Sequence, residues 1–245
     1  MFGFAIEAVA IAALAALAAG FVRGLAGFGL SVVLVPILQL AIAPSAAVLV
    51  GIVSLFLIGL TDIGRIRRDA DRSAIPIALL AIACMPLGLW ALVALGVDWA
   101  RLLIALVSLA AFVLVVIPLG KIVMPRRPAM ALSGFFTGFF GGFAGMPGPG
   151  MAPFYLRGRL EPKAARASMM AIFLVVTPIS AAVFVWLDVG GWQEVELALL
   201  LFPAVLLGDW LGHRAFGRVS KARWKVATAL VLGGAAAGAL WKLLM

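Results

Sequence analysis

The chain has one cysteine, one histidine, one tyrosine and few charged residues. Each scarcity excludes a class of chemistry. Cys84 alone can form neither an intrachain disulfide nor a thiolate metal cluster. His213 alone supports no His-rich metal site and no bis-His haem. Neither an H-E-x-x-H helix nor a Walker loop occurs, so this chain hydrolyses no ATP. No nucleophile faces an acid–base partner at a useful spacing, and the connections between apolar segments are too short to hold a soluble domain. These absences predict a non-enzyme with no cofactor and no metal.

What is present is apolar. The chain is 65% hydrophobic and 12% charged, with mean hydropathy +1.21, whereas soluble domains carry about 25% charged residues. The net charge of +9 sits in short loops between apolar segments, which points to a lipid bilayer and away from nucleic acid. Met1-Phe-Gly-Phe-Ala-Ile-Glu7 lacks a basic n-region and is expected to be a retained first helix rather than a cleaved signal peptide. Apolar segments are expected at roughly 4–22, 30–43, 45–64, 73–96 and 100–120, then 129–142, 150–157, 165–187, 195–213 and 224–245. The second, sixth and seventh are too short to cross a bilayer core of about 30 Å comfortably.

The sequence repeats itself. Gly20-Phe-Val-Arg-Gly24-Leu-Ala-Gly27 returns 118 residues later as Gly138-Phe-Phe-Gly-Gly142-Phe-Ala-Gly145, and Pro44-Ser-Ala-Ala47 returns as Pro162-Lys-Ala-Ala165 at the same offset. Leu87-Gly-Leu-Trp90 matches Leu207-Gly-Asp-Trp210 at a slightly longer one. Two repeats, 1–123 and 124–245, are therefore expected within one integral membrane domain. Paired broken segments in corresponding halves are a sequence pointer to a transporter's binding site.

Basic residues set the topology. Sixteen of the 19 lysines and arginines fall in 65–72, 121–127, 157–166 and 214–225, so the positive-inside rule places these four stretches in the cytoplasm. The connections at 97–99 and 188–196 carry acids only, together with Trp99 and Trp192, and fall outside. Loops 121–127 and 157–166 share a face only if 129–156 goes in and comes back, as a hairpin turning at Gly141–Gly150. By the repeat, 4–43 is a hairpin turning near Gly24–Gly29. The expected fold is an all-α polytopic bundle of two inverted repeats in the cell inner membrane, each with a broken-helix Gly/Pro hairpin, and with both termini outside.

The turns are the candidate substrate site. Helices restarting at Leu30 and Met151 would aim their N-terminal N–H groups at the breaks, which favours a small anion. Gly24, Gly27, Gly29, Gly142, Gly145, Gly148 and Gly150 would permit close approach of an oxyanion. Glycines spaced by four, such as Gly134, Gly138 and Gly142, also serve close helix packing; breakage at one place in both halves, with Pro147 and Pro149, favours a site. Arg23 has two open readings, a contact to the substrate or snorkelling to an interface. Asp209 and His213, one turn apart, could relay a coupled proton, with pairing of Asp209 to Arg214 the stronger reading; Asp62 is matched to Arg65 in the same way. Ser168 and Gln39 could line a path or bond a neighbouring helix.

Gly138-Phe-Phe-Gly-Gly-Phe-Ala-Gly-Met-Pro-Gly-Pro-Gly-Met-Ala-Pro153, followed by Pro162-Lys-Ala-Ala-Arg-Ala-Ser168, resembles the second-half motif of the sulfite exporter TauE/SafE proteins, also described as the toluene sulfonate uptake permeases. Gly24-Leu-Ala-Gly-Phe-Gly-Leu-Ser-Val-Val-Leu-Val-Pro36 resembles the first-half counterpart. The resemblance implies a secondary carrier of sulfur-containing anions such as sulfite or organosulfonates. A channel, or a carrier of another small organic anion, is the alternative, and direction, coupling to a proton or cation, and oligomeric state stay open.

Overall fold

Ten α-helices and no strand occur among the described residues, 6–116, 124–156, 160–215 and 241, of a computed structural model. In chain order they are α1 (Ile6–Ala26), α2 (Leu30–Leu38), α3 (Pro44–Leu60), α4 (Ile63–Asp69), α5 (Ala74–Ala94), α6 (Val97–Val116), α7 (Arg126–Ala144), α8 (Gly148–Leu156), α9 (Pro162–Trp186) and α10 (Trp192–Ala215). The segment expected at 224–245 lies outside the described residues, Trp241 excepted.

Local chemistry sets the helix ends. α3 and α9 open on Pro44 and Pro162, each after an extended residue, where proline's missing N–H costs nothing and its fixed φ suits a first turn. α1 closes on Gly27 at φ +83°, whose N–H reaches the Arg23 carbonyl at 2.6 Å. α7 closes on Gly145 at φ +63°, whose N–H reaches the Gly141 carbonyl at 3.1 Å. Both are left-handed caps that a side chain would disfavour. The breaks are shorter than the sequence suggests: Gly24, Gly141 and Gly142 stay helical, and α8 begins at Gly148 rather than Met151. A helical glycine keeps its main chain bonded, which an apolar surrounding rewards.

One segment divides. The run expected as a single span over 45–64 bends by 69° between α3 and α4. α4 reads Ile-Gly-Arg-Ile-Arg-Arg-Asp and buries no residue, so its arginines turn it out of the apolar layer.

α3 and α9 pack on each other in the centre; α10 lies on α3, and α5 on α9. α1 runs along α10, and α7 along α5. Leu49, Val50, Ile52 and Ile58 of α3 are buried, whereas Leu79, Trp90 and Val93 of α5 and Leu199, Leu206 and Trp210 of α10 stay exposed. Apolar faces of this extent exceed what soluble monomers show. Among the described residues, α5, α9 and α10 are each long and apolar enough to cross a bilayer, and α3 with α4 forms a bent fourth.

Glycine brings the outer pairs to backbone contact. A Cβ on Gly20 would lie 2.2 Å from the Val205 carbonyl oxygen, and one on Gly208 would lie 2.1 Å from that of Leu17. On the other pair, a Cβ on Gly138 would lie 2.2 Å from the Ala81 oxygen, and one on Gly88 would lie 2.0 Å from that of Phe139. No rotamer relieves a clash with main chain. Gly208→Ala and Gly138→Ala should therefore each destabilise the protein by at least the ~1–3 kcal/mol typical of overpacking. Gly64→Ala and Gly96→Ala, where nothing lies within 4 Å, should not. Thermal unfolding in detergent, followed by size exclusion, checks both pairs.

Candidate functional site

The contact between α1 and α10 sets the first part of the site. A Cβ on Gly24 would lie 2.2 Å from the Asp209 carbonyl oxygen, so the preceding residue, Arg23, reaches α10 directly. Arg23 is only 1% exposed. Its Nη1 donates to Asp209 Oδ1 at 2.7 Å and its Nη2 to Asp62 Oδ2. Arg65 Nη1 donates to Asp62 Oδ1 at 2.7 Å, and His213 Nδ1 lies 3.3 Å from Asp209 Oδ2 and 2.9 Å from its backbone carbonyl. Three of the four carboxylate oxygens thus accept a guanidinium hydrogen bond and His213 stands beside the fourth, while Arg23 Nε has no acceptor.

His213 Nε2 lies 3.1 Å from Arg65 Nη1. A guanidinium only donates, so Nε2 accepts and the ring proton sits on Nδ1, facing Asp209.

The expected pairing of Asp209 with Arg214 is replaced by pairing with Arg23, because the close approach of α1 delivers a guanidinium to Asp209 first. Arg214 instead stacks on Trp210, its Cζ 3.8 Å from the ring centroid. The expected pair of Asp62 with Arg65 is present. Snorkelling of Arg23 is ruled out by its burial between two carboxylates.

The two helix breaks form the second part. A Cβ on Gly148 would sit 3.6 Å from both Phe28 Cδ2 and Phe173 Cζ, so the second break faces the residue at the heart of the first. A Cβ on Gly27 would lie 2.4 Å from Arg166 Nε, and one on Gly145 would lie 3.0 Å from the Val48 carbonyl. Gly29, at φ +102°, has Val22 as its near neighbour. Gly24, Gly142 and Gly150 press on the main chain of α10, α5 and α7 respectively, so each is a point of helix packing.

A third group of polar residues lies at the ends of α7, α8 and α9. Ser168 accepts the Asp71 N–H at 2.8 Å and donates to the Ala164 carbonyl at 2.7 Å. Arg126 pairs with Asp71 at 3.1 Å, and the Ser73 and Tyr155 hydroxyls lie 3.2 Å apart. Hydrogen bonds from Ser73, with the Arg126 charge nearby, hold the Asp71 carboxyl below the usual range. Gln39 lies elsewhere, exchanging hydrogen bonds of 3.0 Å with Arg101 across its own carbonyl and that of its partner. A cavity of about 270 Å³ lined by Ile42, Ala43, Ala46, Gln193, Glu194 and Leu197 carries no basic group.

The profile of the sulfite exporter TauE/SafE family matches residues 12–239. The chain belongs to that family. It is accordingly a multi-pass membrane transport protein for sulfur-containing anions. No curated protein and no solved structure matches it.

In this TauE/SafE protein, sequence reasoning singled out Arg23, Asp209 and His213 separately and did not join them through Asp62, nor did it single out Arg166. The repeat offers the signal that would have found both. At the offset of 118, Asp62 stands where the second half has Ser180, and Arg166 where the first half has Val48.

The network carries a stability prediction. Arg23→Ala strands two buried carboxylates and should cost ~3–5 kcal/mol. Arg65→Ala removes a half-exposed partner and should cost ~1 kcal/mol or less. The triple change Arg23→Met, Asp62→Leu, Asp209→Leu should regain most of the loss. Melting temperatures of the three proteins check the ranking.

Proposed function

We propose that the protein is a secondary carrier that moves small sulfur oxyanions, such as sulfite or organosulfonates, by alternating access around the two helix breaks. One observation carries the reading: the contacts of one half recur, exchanged, in the other. Gly27 meets residue 166 and Gly145 meets residue 48, both steps of 118. Gly24 meets Asp209 and His213, and Gly142 meets Met85 and Leu89. The packing of α1 on α10 thus has a twin in the packing of α7 on α5. This supports two inverted repeats over 1–123 and 124–245, the architecture that lets a central site open to either side in turn. The register that relates α5 to α10 by contact is one helical turn longer than the match of Leu87-Gly-Leu-Trp90 to Leu207-Gly-Asp-Trp210.

Arg126 at the start of α7 and Tyr155 near the end of α8 both reach the connection 71–73, which supports an in-and-back hairpin for that pair. Arg65 beside His213 and Arg126 beside Asp71 gather the basic connections on one side, which the positive-inside rule assigns to the cytoplasm. Cysteines at Arg67, Arg126, Arg159 and Lys221 should then label from the cytoplasm, and those at Asp98 and Glu194 from outside. Labelling of 126 and 159 from opposite faces would remove the hairpin and the inverted repeat together.

In this reading Gly27, Gly29, Gly145 and Gly148 surround the substrate, with Arg23 contributing its charge. Gly24, Gly142 and Gly150 hold the helices that frame it, and Ser168 stands at the entrance. Outward movement of an anion follows the membrane potential, worth about 2.3 kcal/mol per charge per 100 mV. Uptake needs a coupled ion, and Asp209 with His213 is the candidate relay: a proton reaches Nε2 only if Arg65 lets go. Counterflow of radiolabelled sulfite in proteoliposomes tests the carrier reading. Saturable counterflow is expected, kept by Gly148→Ala and lost in a folded Gly148→Leu, whose side chain would fill the gap between Phe28 and Phe173. Flux that neither saturates nor shows counterflow would indicate a channel.

A further inference from the structure

We propose that Thr137 is a substrate-binding residue: its hydroxyl, with the first main-chain N–H groups of α8, holds an oxygen of the anion in the second helix break. The proposal rests on the carrier reading and adds a side chain to it. Thr137 lies midway along α7 and is fully buried, and its hydroxyl has no hydrogen-bond partner among the described residues. A helical serine or threonine commonly donates to the carbonyl four residues back. Ser108, Ser168, Thr177 and Ser180 all do so here, at 2.7–3.0 Å. Thr137 does not.

The neighbours of Thr137 fix what it faces. Residues one turn apart share a side of a helix. One turn before Thr137, the Ser133 hydroxyl donates to the Gly150 carbonyl at 3.2 Å. One turn after it, a Cβ on Gly141 would lie 3.6 Å from Pro147 Cβ. Between them, a Cβ on Gly150 would lie 2.1 Å from the Thr137 nitrogen. This side of α7 therefore lies against the first turn of α8. The first N–H groups of a helix have no acceptor within it, and Pro149 has no N–H to give. The main-chain donors of that turn are those of Gly148, Gly150 and Met151, all buried. Such donors beside an idle hydroxyl, shut off from solvent, suit a negatively charged oxygen.

The other half shows that helix packing does not need the hydroxyl. At the offset of 118, Ser133 and Thr137 correspond to Ala15 and Ala19, both buried in α1. Arg23 in turn corresponds to Gly141. The first half thus brings a guanidinium to the substrate and the second a hydroxyl, at different positions of the same helix. A sulfite or sulfonate group carries more than one oxygen and can take both.

The test measures sulfite KM in proteoliposomes and the melting temperature of the ligand-free protein in detergent. Thr137→Val keeps the shape and removes the hydroxyl. It should raise KM roughly ten- to a hundredfold, the worth of a hydrogen bond to a charged group. It should also melt at or above the native temperature, because the empty protein loses no hydrogen bond. Thr137→Ser, which keeps the hydroxyl, should keep a native KM. An unchanged KM for Thr137→Val, with or without a lower melting temperature, overturns the proposal. So does a rise in KM as large for Thr137→Ser as for Thr137→Val, since shape would then be what matters. If Thr137→Val fails to fold, the KM of Thr137→Ala, which copies Ala19, decides in its place. Absence of sulfite counterflow by the native protein would overturn the carrier reading and this inference with it. Native counterflow with indifferent Thr137 variants would overturn this inference alone.

Discussion

Glycine against main-chain carbonyl is the contact on which the rest of the molecule depends. Where Gly20 and Gly24 of α1 meet Gly208 and Gly212 of α10, the helices approach to backbone distance, gaining dispersion contacts that bulkier side chains would prevent. In lipid no hydrophobic drive separates protein from solvent, so such contacts carry much of the cohesion. They also fix the chemistry. Arg23 precedes Gly24, and only this closeness puts its guanidinium against Asp209 while Asp62 arrives from the bend after α3. The second pair, α5 and α7, uses Gly88, Gly138 and Gly142 in the same manner and thereby sets where α7 ends and α8 begins.

One packing scheme carries two electrostatic fillings. A buried arginine between two aspartates is costly in an apolar medium unless each charge is matched, and here each carboxylate has a basic group on both of its oxygens' sides. The equivalent place in the other half holds Gly141, Ser180 and Met85. The neutral filling avoids the desolvation cost, so stability alone gives no reason for the charged one.

Composition made the membrane character legible, and the repeat exposed the paired breaks, because both are properties of sequence over long windows. The left-handed caps at Gly27 and Gly145 could be anticipated from the glycine pattern, although not to the residue: Gly24 and Gly142 look identical to them in sequence and differ only in what packs against them. The bend after α3 was not singled out because it falls at Thr61-Asp62, close to the expected end of the apolar segment 45–64. Asp209 was assigned to Arg214 on helical spacing, a local rule that cannot see an arginine arriving from 186 residues away. The same blindness covers Arg166, which lies in a basic connection and looks like another topology marker until Gly27 is found beneath it.

The placement of the charges also bears on how the two sides would open. Arg23 and Asp209 belong to the tightly packed pair α1 and α10, whereas Asp62 and Arg65 belong to the bend between α3 and α4. The links from Arg23 to Asp62 and from His213 to Arg65 therefore join two bodies that alternating access would separate. In an inverted repeat the corresponding link, at the other end, would be the contact of Ser180 with Met85, which carries no charge. Opening on the basic side would break ionic contacts, and opening on the other would not. The empty carrier would then rest closed on the basic side. In that picture an anion arriving at the first helix break would compete with Asp62 for Arg23 and Arg65, loosening the links that hold that side shut. Substrate charge would act as the key to the side from which it comes, without any separate gate.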